Sequence, residues 1–186
     1  MDGLRLKLTE ITVQDVSLHA DLLDRLSSEH KHTIARLPID AGISCAQEDF
    51  MCFEYALRLV FSAEYLSIKE FELRTRIHPI GASAEFMVFL LEKQYLAEIN
   101  EKNAKCGDLI VYYEAGKPTH AGVLKESRRV ISKWGKGLLL EHQLFEVPAI
   151  YGNACRIFER PELSVCEDAF IEYAETMGRE FTTAEN

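Results

Sequence analysis

The sequence predicts an α+β protein in which a cysteine-bearing helix packs on an antiparallel β-sheet, and three observations predict it. Apolar residues recur mainly at helical spacing through the first hundred residues. From Asp108 onward the pattern becomes short β-rich runs separated by glycine-containing turns. At 186 residues with 47% hydrophobic content, the chain can bury one proper core, and two full domains would be cramped.

In chain order, Leu4, Leu6 and Leu8 alternate with Arg5 and Lys7, which predicts a short edge strand. A helix from about Thr12 to Leu26 follows, its apolar face made by Val16, His19, Leu22, Leu23 and Leu26, so His19 reads as a structural histidine. His30 and His32 fall in a polar turn with no third ligand placed near them, so no metal site is expected. Pro38, Asp40 and Gly42 mark a loop leading into a helix from about Asp49 to Leu66, with Asp49 available as its cap. A mixed segment broken by His78-Pro79 and Gly81 precedes a helix over Ser83 to Lys93 and a strand over Tyr95 to Ile99. The predicted strands of the second half are Asp108 to Tyr113, Thr119 to Leu124, Arg129 to Trp134, Glu141 to Phe145 and Arg156 to Phe158. Cys166, Ala169, Phe170, Tyr173 and Met177 predict a last amphipathic helix in an acidic tail. Residues 1–44 thus read as a strand and helix belonging to the same domain, 45–160 as its core, and 161–186 as a C-terminal helix and tail.

A formal net charge of -9 argues against nucleic acid as a partner, because phosphate contacts need clustered cations in excess. Lys125, Arg128, Arg129, Lys133 and Lys136 make a local basic patch that reads as a solvated hairpin rather than an anion site. Five cysteines, odd in number and scattered without a CxxC pair, predict neither a disulfide framework nor a zinc site. The first residues carry charge where a secretory signal would be apolar, and no window approaches the eighteen apolar residues of a membrane span. The expectation is a cytoplasmic protein without membrane partner or cofactor, export by a route without a cleaved signal being the alternative.

Cys52 is the residue with the clearest chemical potential. Cys52, Tyr55, Ala56, Leu59, Ala63 and Leu66 share one helical face, so the thiol opens an apolar helix. A thiol in a first helical turn meets orphan N–H groups that favour the thiolate. The same residue would serve as an ordinary small hydrophobe if the helix merely packs. Downstream stand Gly107-Asp108-Leu109-Ile110-Val111-Tyr112-Tyr113, a turn, and His120-Ala121-Gly122-Val123-Leu124. These runs, with Cys52 upstream, resemble the GDL strand and H-[AV]-G-[IV] strand of the NlpC-type branch of papain-like cysteine hydrolases, over about residues 45 to 158. Ser132-Lys133-Trp134-Gly135, then His142 and Tyr151-Gly152, are similar to a further set of NlpC-like domains with an S-K-[LW]-G signature, a later histidine and a YG. The resemblance implies a papain-like fold with Cys52 as nucleophile and His120 as base. The Cys52-Phe53-Glu54-Tyr55 run departs from the D-C-S-G of cell-wall peptidases, and Asp49 stands three residues before the cysteine instead of one, so peptidoglycan cleavage does not carry over.

A third group would hold the imidazole tautomer. If Leu124 pairs with Arg128 across a three-residue loop, His120 faces Ser132, with Trp134 on the same side; a four-residue loop would bring Lys133 there instead. Ser132 is the first candidate for the orienting group and His142 the second. The Cys52 N–H and the Gln47 side chain are candidate oxyanion donors, and Trp134, Lys133 and Tyr151 candidate cleft residues. Two functions follow. One is a thiol hydrolase (amidase, peptidase or deamidase) acting on a peptide or other amide substrate. The other is an inactive papain-like scaffold that serves as a protein-binding or regulatory module.

Overall fold

The computed structural model describes residues 2–39, 42–43, 49–75 and 81–178. Its helices are α1 (Asp2–Thr12), α2 (His19–Glu29), α3 (Cys52–Ala56), α4 (Ala63–Thr75), α5 (Ala84–Glu92) and α6 (Leu163–Thr176). Its strands are β1 (Ala35–Arg36), β2 (Glu98–Ile99), β3 (Leu109–Glu114), β4 (Lys117–Leu124), β5 (Arg129–Lys133), β6 (Leu139–Gln143) and β7 (Ala154–Phe158). The strands form one antiparallel sheet in the order β1-β6-β5-β4-β3-β7-β2. Strands β3 to β6 are a meander of consecutive hairpins, and β7 returns to the free edge of β3.

Strand alternation sends two sets of side chains to two cores. Leu109, Val111, Tyr113, Ala121, Val123 and Phe158 pack with Cys52, Phe53, Ala56, Phe86, Leu90, Phe170 and Tyr173 from α3, α5 and α6. Ile110, Tyr112, Leu124, Val130 and Leu140 pack on the other face with Leu8, Ile11, Leu23 and Leu26 from α1 and α2. The N-terminal helices and α6 are therefore layers of the packed structure.

Three predicted elements differ. The first segment is the helix α1 and not a strand: Leu8 and Ile11 are buried with Leu4 against them, while Leu6 is exposed. In so short a window Leu4, Leu6 and Leu8 fit a period of two, and Ile11 completes the helical stripe. The helix expected from Thr12 starts only at His19, after a 3-10 turn whose Ser17 N–H is taken by Asp15 (2.9 Å). The long helix expected over 49–66 is broken after Ala56, where Arg58 takes a left-handed conformation (φ 66°) and a 3-10 turn follows. Arg160 closes the break, donating to the carbonyls of Ala56 (2.7 Å) and Tyr55 (3.1 Å). Ser62 then caps α4 by accepting the Tyr65 N–H (2.9 Å). The helical cap expected of Asp49 is supplied instead by Glu54, which accepts the Met51 N–H (2.6 Å).

The β4–β5 register pairs Gly122 with Ser132 and Leu124 with Val130. This is two residues from the three-residue-loop expectation and has the same parity, so His120, Ser132 and Trp134 do share a side. Gly122 makes the pairing close: a Cβ there would lie 2.6 Å from Val130 Cγ1 and 2.8 Å from the Ile131 carbonyl. Gly122→Ala should therefore destabilise the fold by about 1–3 kcal/mol, as overpacked sites do. A urea midpoint equal to that of the unmodified protein would show that β5 can move aside.

Candidate functional site

Cys52 is the first residue of α3, in the tight turn that Glu54 builds. The Glu54 carboxylate is buried and accepts from Tyr65 Oη (2.5 Å) and Lys69 Nζ (2.6 Å) as well as from the Met51 N–H, which ties the turn to α4. The thiol is 7% exposed. Burial pushes it up to about 11, although the nearby backbone N–H groups of Ala121, Phe53 and Cys52 favour the thiolate. The lowered thiol pKa expected of a helix start is thus not met in this closed arrangement. With α3 only five residues long, there is little helix dipole to offset desolvation.

Cys52 packs in the same core as Ala121, the residue after His120. His120 itself is fully buried, and neither ring nitrogen makes a hydrogen bond. Burial, with His142 as a lesser cause, holds the imidazole well below its ordinary value, so it is neutral. Its ring stacks on Tyr151 at 3.8 Å between centroids and 5° between planes, and Tyr112 stands 5.5 Å away. A neutral imidazole with both nitrogens free keeps one lone pair for accepting a proton.

Ser132 and His142, the candidate orienting groups, bond to each other and not to His120. His142 Nδ1 lies 2.8 Å from the Gln143 carbonyl and must donate there. Its Nε2 then accepts from Ser132 Oγ (2.8 Å), which in turn accepts from the Trp134 indole (3.0 Å). This buried relay consumes the hydroxyl and both His142 nitrogens. Burial pushes the His142 imidazole down to about 4. Lys133 alternates to the other face, the one α3 covers. It is fully buried, unlike the rest of the basic patch, with Nζ donating to the carbonyls of Gly135 (2.9 Å) and Gly137 (2.7 Å) above the Phe50 ring. A solvated hairpin is therefore the wrong description for Lys133. Trp134 is buried edge-on to Tyr151. Gln47 lies outside the described residues.

The structure thus places His120 in the middle of β4 with Tyr151 stacked on its ring, Cys52 on the α3 side of the same strand, and Ser132, His142 and Trp134 as a neighbouring cluster. Missed by sequence reasoning were Glu54 and Arg160, which shape the nucleophile turn. Glu54 carried a signal, an acidic residue three positions after the cap position, whereas Arg160 carried none, since its partners are 104 and 105 residues away.

Fold and site together define an α+β protein whose antiparallel sheet lies between two helical layers, with a buried cysteine in one layer and a buried histidine on the strand that layer covers. The chain belongs to the family described as "Domain of unknown function (DUF7689)", whose model matches residues 47–159. No curated protein and no solved structure matches it. The matched stretch contains Cys52, His120 and Tyr151 and excludes α1, α2 and α6. Among the described residues no helix is long and apolar enough to cross a membrane.

The buried histidines set an acid limit on stability. A histidine held neutral in the folded state binds its proton first when unfolded, so its contribution is complete above about pH 6.5 and is lost as the pH falls toward about 4. For His142 that loss is on the order of 3 kcal/mol. His142→Gln, which cannot titrate, should flatten the fall in urea midpoint across this window. An unchanged slope would assign the acid loss to other groups.

Proposed function

We propose that this protein is a papain-like thiol hydrolase, of the NlpC type in arrangement, that uses Cys52 and His120 on a peptide or other amide bond. The observation that carries the reading is that Cys52, at the start of α3, packs in one core with Ala121, the residue after a buried histidine whose ring nitrogens are both without a hydrogen bond. Support also comes from the order of cysteine helix, GDL strand and HAGV strand, now in one sheet.

In this reading His120 takes the thiol proton, and the sulfur attacks the amide carbon. The backbone N–H groups of Cys52 and Phe53, already near the sulfur, are the donors nearest the developing oxyanion. The imidazolium returns the proton to the leaving amine, and water then cleaves the thioester with His120 as base. The closed site holds thiol and imidazole in their neutral forms, so the proton moves to His120 only when the substrate enters. A peptide or amide substrate is the partner this chemistry requires, and neither metal nor cofactor enters it.

Two observations favour the second reading, an inactive scaffold acting as a binding or regulatory module. The thiol is pushed up to about 11, and the expected orienting residues are engaged with each other. Alkylation by iodoacetamide across pH separates the two. A hydrolase should alkylate at Cys52 below pH 7, and His120→Ala should slow that reaction by about a hundredfold, the lower range of general-base effects. A profile that His120→Ala leaves unchanged would make the binding module the correct reading.

A further inference from the structure

The imidazole of a thiol hydrolase must be held in one orientation, yet His120 has no hydrogen bond with which to hold it. What holds it is an aromatic face. Tyr151 lies flat on the ring at van der Waals distance, and Tyr112 blocks the tilt from another side. Among the described residues, the two phenols face the imidazole, His142 acts on it from further off, and the Cys52 thiol acts on Tyr151 from the α3 side.

Tyr151 is itself fixed from four directions. Thr119, beside His120, donates to the Tyr151 carbonyl (2.6 Å), and the Trp134 ring packs edge-on against the Tyr151 ring. Gly152 has φ 96° and presses the turn onto β3 so closely that a Cβ would lie 2.0 Å from the Tyr113 carbonyl. The fourth hold comes from α1, outside the family-matched stretch. Arg5 donates to the carbonyls of Val147 (3.1 Å), Pro148 (3.4 Å) and Gly152, and Thr9 Oγ1 accepts the Ala149 N–H (2.8 Å). One guanidinium thus spans both ends of the turn that carries the ring.

We propose that Tyr151 is the positioning residue of the Cys52–His120 pair, its ring fixing the imidazole plane in place of a hydrogen-bonded third side chain, and that α1 sets it there through Arg5. This rests on the hydrolase reading above. The ring face does the positioning, and the phenol oxygen takes no part in it. The N-terminal helix is accordingly part of the site's construction, although it contributes no reacting atom.

The test is a double-mutant cycle on the full chain, read as the ratio of Cys52 alkylation rates at pH 7 with and without His120→Ala. The ratio cancels changes in thiol exposure. Tyr151→Phe should keep it within about twofold, whereas Tyr151→Leu should lower it by tenfold or more, the scale of ångström-level misplacement. Arg5→Gln, which leaves the core ring intact, should lower it in the same direction and carries the test if Tyr151→Leu does not fold. A large ratio preserved in both Tyr151→Leu and Arg5→Gln overturns this proposal alone. A ratio near one in the unmodified protein overturns the hydrolase reading beneath it.

Discussion

Strand β4 belongs to two cores at once, and the rest of the structure is arranged around that constraint. Ala121 and Val123 face the layer of α3, α5 and α6, while Leu124 faces the layer of α1 and α2, with His120 and Gly122 on the same side by alternation. Both layers must stay dry for the sheet between them to be stable, since apolar burial drives the fold and water at either face would forfeit it. The Cys52 thiol approaches β4 from the first layer, and the His120 ring stacks on Tyr151 in the second. What joins them is the peptide between His120 and Ala121. A cysteine and a histidine can therefore be neighbours while each is counted among the apolar contacts of a different core.

Desolvation is the dominant electrostatic effect in this region. It raises the Cys52 thiol and the Tyr151 and Tyr112 phenols, and it lowers His120 and His142. Each shift favours the neutral form, and the buried charges that remain nearby are the Glu54 carboxylate, paired with Lys69, and the Lys133 side chain on the α3 side. Polar groups that cannot be hydrated are paired where geometry permits, as in the relay from Trp134 through Ser132 and His142 to the Gln143 carbonyl. Among the described residues the unpaired buried atoms are His32 Nε2, Tyr113 Oη and both ring nitrogens of His120. An unpaired imidazole buried between aromatic rings costs stability, and sites that tolerate such a cost are where function is concentrated.

Much of the sheet was legible because its signals are local. The runs from Leu109, Thr119 and Arg129 are β-branched or aromatic and bounded by Gly107, Gly116 and Gly135, and each became a strand within a few residues of expectation. The shared side of His120, Ser132 and Trp134 was also legible, because parity survives a register shift of two. Less legible was the segment after Cys52. Phe53, Leu57 and Val60 are buried beside the helical stripe, more apolar residues than one helical face can cover, and the chain resolves the excess by breaking at Arg58. The break is stabilised by Arg160, which no local pattern links to Ala56.

The sequence by itself determined the fold class, the strands of the meander, and the candidacy of Cys52 and His120, since periodicity, turn residues and helix position are properties of neighbouring residues. Tertiary structure alone decided which groups touch. It bound Ser132 to His142 instead of to His120, buried Lys133, and brought Arg5 across 147 residues to the turn that carries Tyr151. Hydrogen bonds and ring stacking act over a few ångströms in space, and chain separation carries no information about that distance. The neutral state of the thiol belongs with these outcomes, because it follows from how completely two layers close over one strand end.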